Sequence, residues 1–212
     1  MTTRPRPLAR VKQTYTDEAR RLASRSMGQL EQTSVTPNAL SVAGVALCIA
    51  GAVVVYFEYK GEWLFLAGAA PFVIGSILDI LDGALARSRG KGTPFGAFMD
   101  STVDRVGEGF MLGAVALVLM REGSEWGVAL AIAAMAGSFL VSYTRAKAEI
   151  MGLKGDVGFG SRAERVIVIT SGLVLAPLHE NVLPLTMALL TATAWLTVTQ
   201  RVLAVRDQLR RS

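Results

Sequence analysis

Six apolar stretches separated by short polar breaks dominate this sequence, at residues 38–57, 63–87, 94–120, 126–147, 161–178 and 182–205. Several contain the roughly 20 residues a helix needs to cross a bilayer. Inside lipid, backbone polar groups must be satisfied internally, which favours helices. The chain therefore reads as all-α, an integral membrane bundle of six transmembrane helices. The fifth stretch is the weakest: its apolar run, Val166 to Leu178, is short and must borrow the turn before it. Composition agrees, with 51% hydrophobic and 18% charged residues among 212, against about 25% charged in soluble domains. The 21 glycines and eight methionines suit closely packed membrane helices. Dominant disorder is excluded. Cys48 is the only cysteine and His179 the only histidine. A disulfide scaffold, a multi-histidine metal site and a Ser-His-Asp triad are therefore not expected.

Six spans put both termini on one side, and the basic residues choose the side. All of the 22 lysines and arginines except Lys60, Arg105 and Arg121 fall at that face or in the terminal segments joined to it. The opposite loops carry Glu58, Glu62, Glu122, Glu125 and Glu180. The positive-inside bias then predicts a cell-membrane protein with both termini cytoplasmic. Residues 1–37 lack the long apolar core of a secretory signal. Within them, residues 8–31 mix apolar and basic side chains and predict an amphipathic helix lying on the inner leaflet. The expected organisation is a juxtamembrane segment (1–37), a six-helix domain (38–205) and a cytoplasmic tail (206–212). The net charge of +5 fits attraction to anionic lipid. Basic groups gathered at one membrane face argue against a nucleic-acid partner.

Four aspartates interrupt the second and third stretches. Asp79 and Asp82 are spaced i, i+3, and Asp100 and Asp104 i, i+4, so each pair shares a helical face. The short break between the stretches makes the two helices antiparallel neighbours and lets the acidic faces meet at the cytoplasmic rim. Acids in such positions are costly and mark a function. Four carboxylates this close cannot all stay ionised without positive charge nearby. With all-oxygen donors, the fitting partners are hard divalent cations, Mg²⁺ or Mn²⁺. Two ions would balance four aspartates and leave coordination positions for a diphosphate. Gly83 removes a side chain beside this cluster, Gly96 opens the third helix one turn before Asp100, and Arg87 offers a guanidinium fork to phosphate.

Residues 79–104, DILDGALARSRGKGTPFGAFMDSTVD, resemble the signature of the CDP-alcohol phosphotransferases, D-x2-D-G-x2-A-R-x8-G-x3-D-x3-D. All eight fixed positions match: Asp79, Asp82, Gly83, Ala86, Arg87, Gly96, Asp100 and Asp104. The six-span layout is similar to that family as well. The resemblance implies an enzyme that joins an alcohol to the phosphatidyl group of a CDP-linked lipid and releases CMP. It further implies that Asp79, Asp82 and Asp100 hold the metals, and that Asp104 both touches metal and acts as the catalytic base. Gly83, Ala86, Arg87, Thr93 and Gly96 would face the CDP-lipid. Thr36, Pro37, Asn38 and Ala39 look like the segment that borders the nucleotide before the first membrane helix. Thr36 and Pro37 also suit an N-cap and first helical turn. An aspartate with the usual pKa of about 3.9 is a weak base, so the acceptor proton must leave late or be acidified locally. A homodimer is implied by the resemblance alone.

A second cluster bears on the acceptor. Arg145 and Lys147 end the fourth stretch, Arg162 and Arg165 open the fifth, and Arg201 ends the sixth. All lie at the aspartate rim, and an acceptor carrying its own phosphate would need several such cations. The patterns SYTRAKAE (142–149) and GSRAER (160–165) resemble the phosphatidylinositol phosphate synthase branch, which uses 1L-myo-inositol 1-phosphate. By that resemblance Ser142, Arg145, Lys147, Arg162, Arg165 and Arg201 would bind the acceptor phosphate. Relative to the branch pattern Arg and Lys are exchanged at 145 and 147, which keeps charge and alters fork geometry. The alternatives are the same chemistry with glycerol 3-phosphate or another polar alcohol, a cation or proton carrier, and a structural protein whose aspartates cap helices. Clustering of the acids at one end of two helices favours the enzyme over the carrier. Glu108, one turn beyond Asp104, is either a partner of that site or paired with Arg105.

Overall fold

The computed structural model describes residues 35–210 apart from Lys91, Phe159 and Gly160. The described residues form six helices: α1 (Pro37–Tyr56), α2 (Trp63–Ser88), α3 (Pro94–Arg121), α4 (Glu125–Ile150), α5 (Arg162–Leu175) and α6 (Val182–Leu209). Short 3₁₀ turns at Glu58–Lys60 and Ala176–Leu178 follow α1 and α5. Their order and boundaries follow the apolar pattern closely. The interfacial helix expected within residues 8–31 lies outside the described residues. Among the described residues four helices, α1, α2, α4 and α6, are long and apolar enough to cross a membrane. Helix α3 is long enough but carries Asp100, Asp104, Arg105 and Glu108 within its first 15 of 28 residues. Helix α5 has 14 residues, about 21 Å at 1.5 Å each, short of the ~30 Å hydrocarbon core.

Helix α1 packs most extensively on α2, and also on α3; α4 packs on α6 and α3, and α5 lies against α2 and α6. The α1–α2 contact is made by glycines. A Cβ placed on Gly51 would stand 2.5 Å from the Gly68 carbonyl oxygen, and one on Gly44 would stand 2.8 Å from that of Gly75. Two small-residue pairs seven positions apart on each antiparallel helix thus let the backbones touch, the usual device where lipid gives no hydrophobic drive for helix association. Gly107 and Gly109 likewise admit Cys48 and Phe139, whereas Gly113 has nothing within 4 Å. The core shared by the six helices includes Val55, Phe72, Met111, Leu112, Val115, Ala134, Leu173 and Leu190, all essentially inaccessible. The outer faces carry Leu66, Ile74, Ile77, Ile132, Leu185 and Leu196, an apolar belt that suits lipid contact.

Candidate active site

The α2 C-terminal turns and the α3 N-terminal turns bring the acids together. One carboxylate oxygen from each of Asp79, Asp82 and Asp100 lies within 4.8 Å of the others. Asp79 and Asp82 are buried, and Asp100 is half-buried. Ser41 of α1 donates its hydroxyl hydrogen to Asp82. Three carboxylates at this spacing repel unless a cation sits among them, and the all-oxygen donor set fits a hard divalent ion. Asp104 lies next to this trio rather than within it. Its Oδ1 is buried and accepts no hydrogen bond. The charge nearest to it is Arg162, whose Nη1 is 2.5 Å away and also contacts Asp79.

Beside the acids opens a cavity of about 550 Å³. Its walls include Thr36, Pro37, Asn38, Gly83, Ala86, Arg87, Thr93 and Gly96, and Asp82 and Asp100 stand at its edge. Two Thr-Pro dipeptides shape it. Thr36 caps α1 by accepting from Ala39 N at 3.2 Å, and Thr93 caps α3 by accepting from Gly96 N at 3.0 Å. Proline follows each cap at the first helical position, where its missing N–H costs nothing. Two helix N-termini therefore face one cavity, and their partial positive charge favours an anion there. Arg89 donates to the Val35 carbonyl at 2.7 Å, which ties the end of α2 to the approach of α1. Gly83 meets only the Arg87 guanidinium, at 3.4 Å, so its surface stays open to the cavity. Ala39 is exposed next to these residues.

The basic residues expected at the acceptor site divide into three groups. Arg145 and Lys147 are exposed at the end of α4, with Arg145 paired to Glu149 at 2.8 Å, and Ser142 is half-buried one turn earlier. Arg162 and Arg165, one turn apart on α5, both reach acids: Arg162 meets Asp79 and Asp104, and Arg165 grips Glu108 through two nitrogens at 2.6 and 2.9 Å. Arg201 is buried, donating to the carbonyls of Val141 and Val157, and sits within electrostatic reach of Arg145 and Arg165. Glu108 is thus partnered by Arg165, and Arg105 donates to the Ser101 carbonyl instead. Ser41 and Arg89 escaped the sequence reading. Ser41, four residues beyond Pro37 in an apolar helix, was the signal available.

The chain matches the family model for CDP-alcohol phosphatidyltransferase over residues 34–206. It belongs to that family. The chain is therefore a transferase and a multi-pass membrane protein of phospholipid biosynthesis. Among relatives of this family, it is 34% identical to a phosphatidylinositol phosphate synthase of Mycobacteroides abscessus, covering 84% of this chain and 80% of that one. It is equally identical to an archaetidylinositol phosphate synthase of Pyrococcus horikoshii, covering 85% and 88%. The crystal structure of Mycobacterium tuberculosis phosphatidylinositol phosphate synthase with CDP-DAG bound superposes with a TM-score of 0.76 at 29% identity, covering 87% of this chain and 94% of that one. The same Mycobacterium tuberculosis enzyme has been crystallised with manganese and citrate; that structure has a TM-score of 0.74 at 29% identity, covering 86% and 88%.

Proposed function

We propose that this phosphatidyltransferase moves the phosphatidyl group of CDP-diacylglycerol to 1L-myo-inositol 1-phosphate, giving phosphatidylinositol phosphate and CMP, and that it depends on Mg²⁺ or Mn²⁺. The observation that carries the reading is the cavity between two helix N-termini that ends on Asp82 and Asp100. A nucleoside diphosphate laid in it would meet partial positive charge along its length and the acidic trio at its far end. Divalent cations held by Asp79, Asp82 and Asp100, with Asp104 beside them, would withdraw charge from the diphosphate and ease departure of CMP. Thr36, Pro37, Asn38 and Ala39 border the nucleotide, and Gly83, Ala86, Thr93 and Gly96 leave room for its backbone-close approach. Arg87, reaching into the cavity, donates to a phosphate. Asp104 accepts the proton of the acceptor hydroxyl as its oxygen attacks phosphorus in line, and the bond to CMP breaks.

The acceptor assignment draws on the phosphatidylinositol phosphate and archaetidylinositol phosphate synthases among the relatives. It also draws on the gathering of Arg145, Arg165 and Arg201 at the aspartate end, with Ser142, Lys147 and Arg162 completing the phosphate site. Active site and termini are read as cytoplasmic. The test is an acceptor screen in membranes with labelled CDP-diacylglycerol. Inositol 1-phosphate is expected to drive CMP release with Mg²⁺ and to fail in excess chelator. Preference for glycerol 3-phosphate would replace the acceptor, and full turnover in chelator would remove the metal.

A further inference from the structure

We propose that Arg162 is a built-in occupant of the metal site, which a divalent cation displaces toward the acceptor phosphate, so that metal loading completes the acceptor pocket. The inference rests on the reading of the aspartates as metal ligands. Arg162 is the first residue of α5, and its backbone is held in place. Ser161 and Glu164 form a reciprocal cap, with Ser161 N donating to Glu164 Oε2 at 2.9 Å and Glu164 N to Ser161 Oγ at 3.4 Å. From there the Arg162 side chain crosses to α2 and α3 and puts one nitrogen, Nη1, against both Asp79 and Asp104. Asp79 is also one of the three aspartates whose oxygens converge within 4.8 Å. The guanidinium therefore neutralises a carboxylate that a divalent ion would need, and like charges cannot share it.

The two arginines of α5 are anchored unequally. Arg165 makes a two-nitrogen contact with Glu108, and both side chains are only 7% exposed. Arg162 is 23% exposed, and it touches Asp104 at an oxygen that accepts no hydrogen bond. The Glu108–Arg165 pair holds the helix end whether or not the site is loaded, while the Arg162 contact with Asp104 is a charge contact without directional bonding. A divalent ion among the aspartates takes the place of that charge and repels the guanidinium. Arg165, one turn along α5, is within electrostatic reach of Arg162 and of Arg201, itself in reach of Arg145. Arg162 then adds its charge to a cationic group, which a phosphomonoester dianion would bind. Metal and phosphorylated acceptor consequently bind with positive coupling, and each favours the same displaced arginine.

The experiment reads arginine reactivity in the wild-type chain in detergent. The protein is treated with phenylglyoxal, and the modification of each arginine is followed by peptide mass spectrometry. Mg²⁺ is expected to raise the Arg162 rate about fivefold or more, the lower end of ordinary coupling between sites. Glycerol 3-phosphate or inositol 1-phosphate, added with Mg²⁺, should protect it again, and Arg165 should stay slow throughout. Asp79→Asn should raise the Arg162 rate without metal. Mn²⁺ occupancy is followed in parallel by electron paramagnetic resonance. If Mn²⁺ binds and Mg²⁺ leaves Arg162 unchanged, the displacement is wrong while the metal reading stands. If Mn²⁺ does not bind, the metal reading falls and takes the displacement with it. A rate raised by Mg²⁺ but indifferent to the phosphomonoester overturns the coupling.

Discussion

Glu108 shows how a single side chain can be expensive to disturb without touching a substrate. It sits one helical turn beyond Asp104 and is almost wholly buried, with both oxygens accepting from Arg165. Burying two ions costs several kcal/mol each, recovered only by close, well-directed contact. Removing one partner leaves the other charge in a place built for a pair. Glu108→Ala is therefore expected to destabilise the fold by about 3–5 kcal/mol, seen as a lowered unfolding temperature in detergent. Replacing both members with apolar side chains, Glu108→Leu with Arg165→Met, should recover most of that loss, because well-packed apolar pairs of similar volume often match a buried ion pair. If the double variant were as unstable as the single one, the pair would be worth more than its mutual compensation. The same comparison separates stability from the position of Arg162, which depends on how α5 is anchored.

At the scale of elements, the α1–α2 contact depends on backbone proximity, since glycines stand at its closest positions. Gly51→Val would drive a branched side chain into the Gly68 carbonyl and Pro71 ring. It is expected to cost about 1–3 kcal/mol, the usual range for overpacking, and to lower the unfolding temperature. Gly113→Ala meets open space and should leave that temperature unchanged or slightly raised. The elements were largely legible in the sequence, since apolar runs, Thr-Pro starts and aspartate spacing are local signals. Helices α4 and α6 outrun their apolar stretches, to Ile150 and Leu209. Polar residues such as Glu149, Arg206 and Gln208 can continue a helix after hydrophobicity has ended. Gln208 then exchanges two bonds of 3.0 Å with the backbone of Lys154. The aspartate cluster was legible because i, i+3 and i, i+4 spacing fixes a face. The arginine partners were not, because Arg165 and Glu108 stand 57 residues apart, and only packing decides which acid a long cation meets.

At the scale of the whole molecule, the proposed orientation rests on a division of charge between the two ends of the bundle. The opposite end from the aspartates holds Lys60 and Arg121, and neither stands as an isolated charge. Arg121 donates to the Tyr56 carbonyl at 2.5 Å, pairs with Glu58 at 2.7 Å and lies over the rings of Tyr56 and Tyr59. Lys60 lies 4.9 Å from the Phe57 ring centre. These contacts compensate both cations locally with π-faces or a carboxylate, which lightens their weight against the basic residues of the other end. The proposed orientation therefore puts Glu180 outside and Asp207 inside, both exposed. With Cys48 replaced by alanine, the chain has no other thiol, so Glu180→Cys and Asp207→Cys each report one place. A membrane-impermeant maleimide applied to intact cells should label the cysteine at 180 and reach that at 207 only after permeabilisation. The reverse pattern would put the aspartate cavity on the outer surface and would overturn the charge argument together with the site's assigned side.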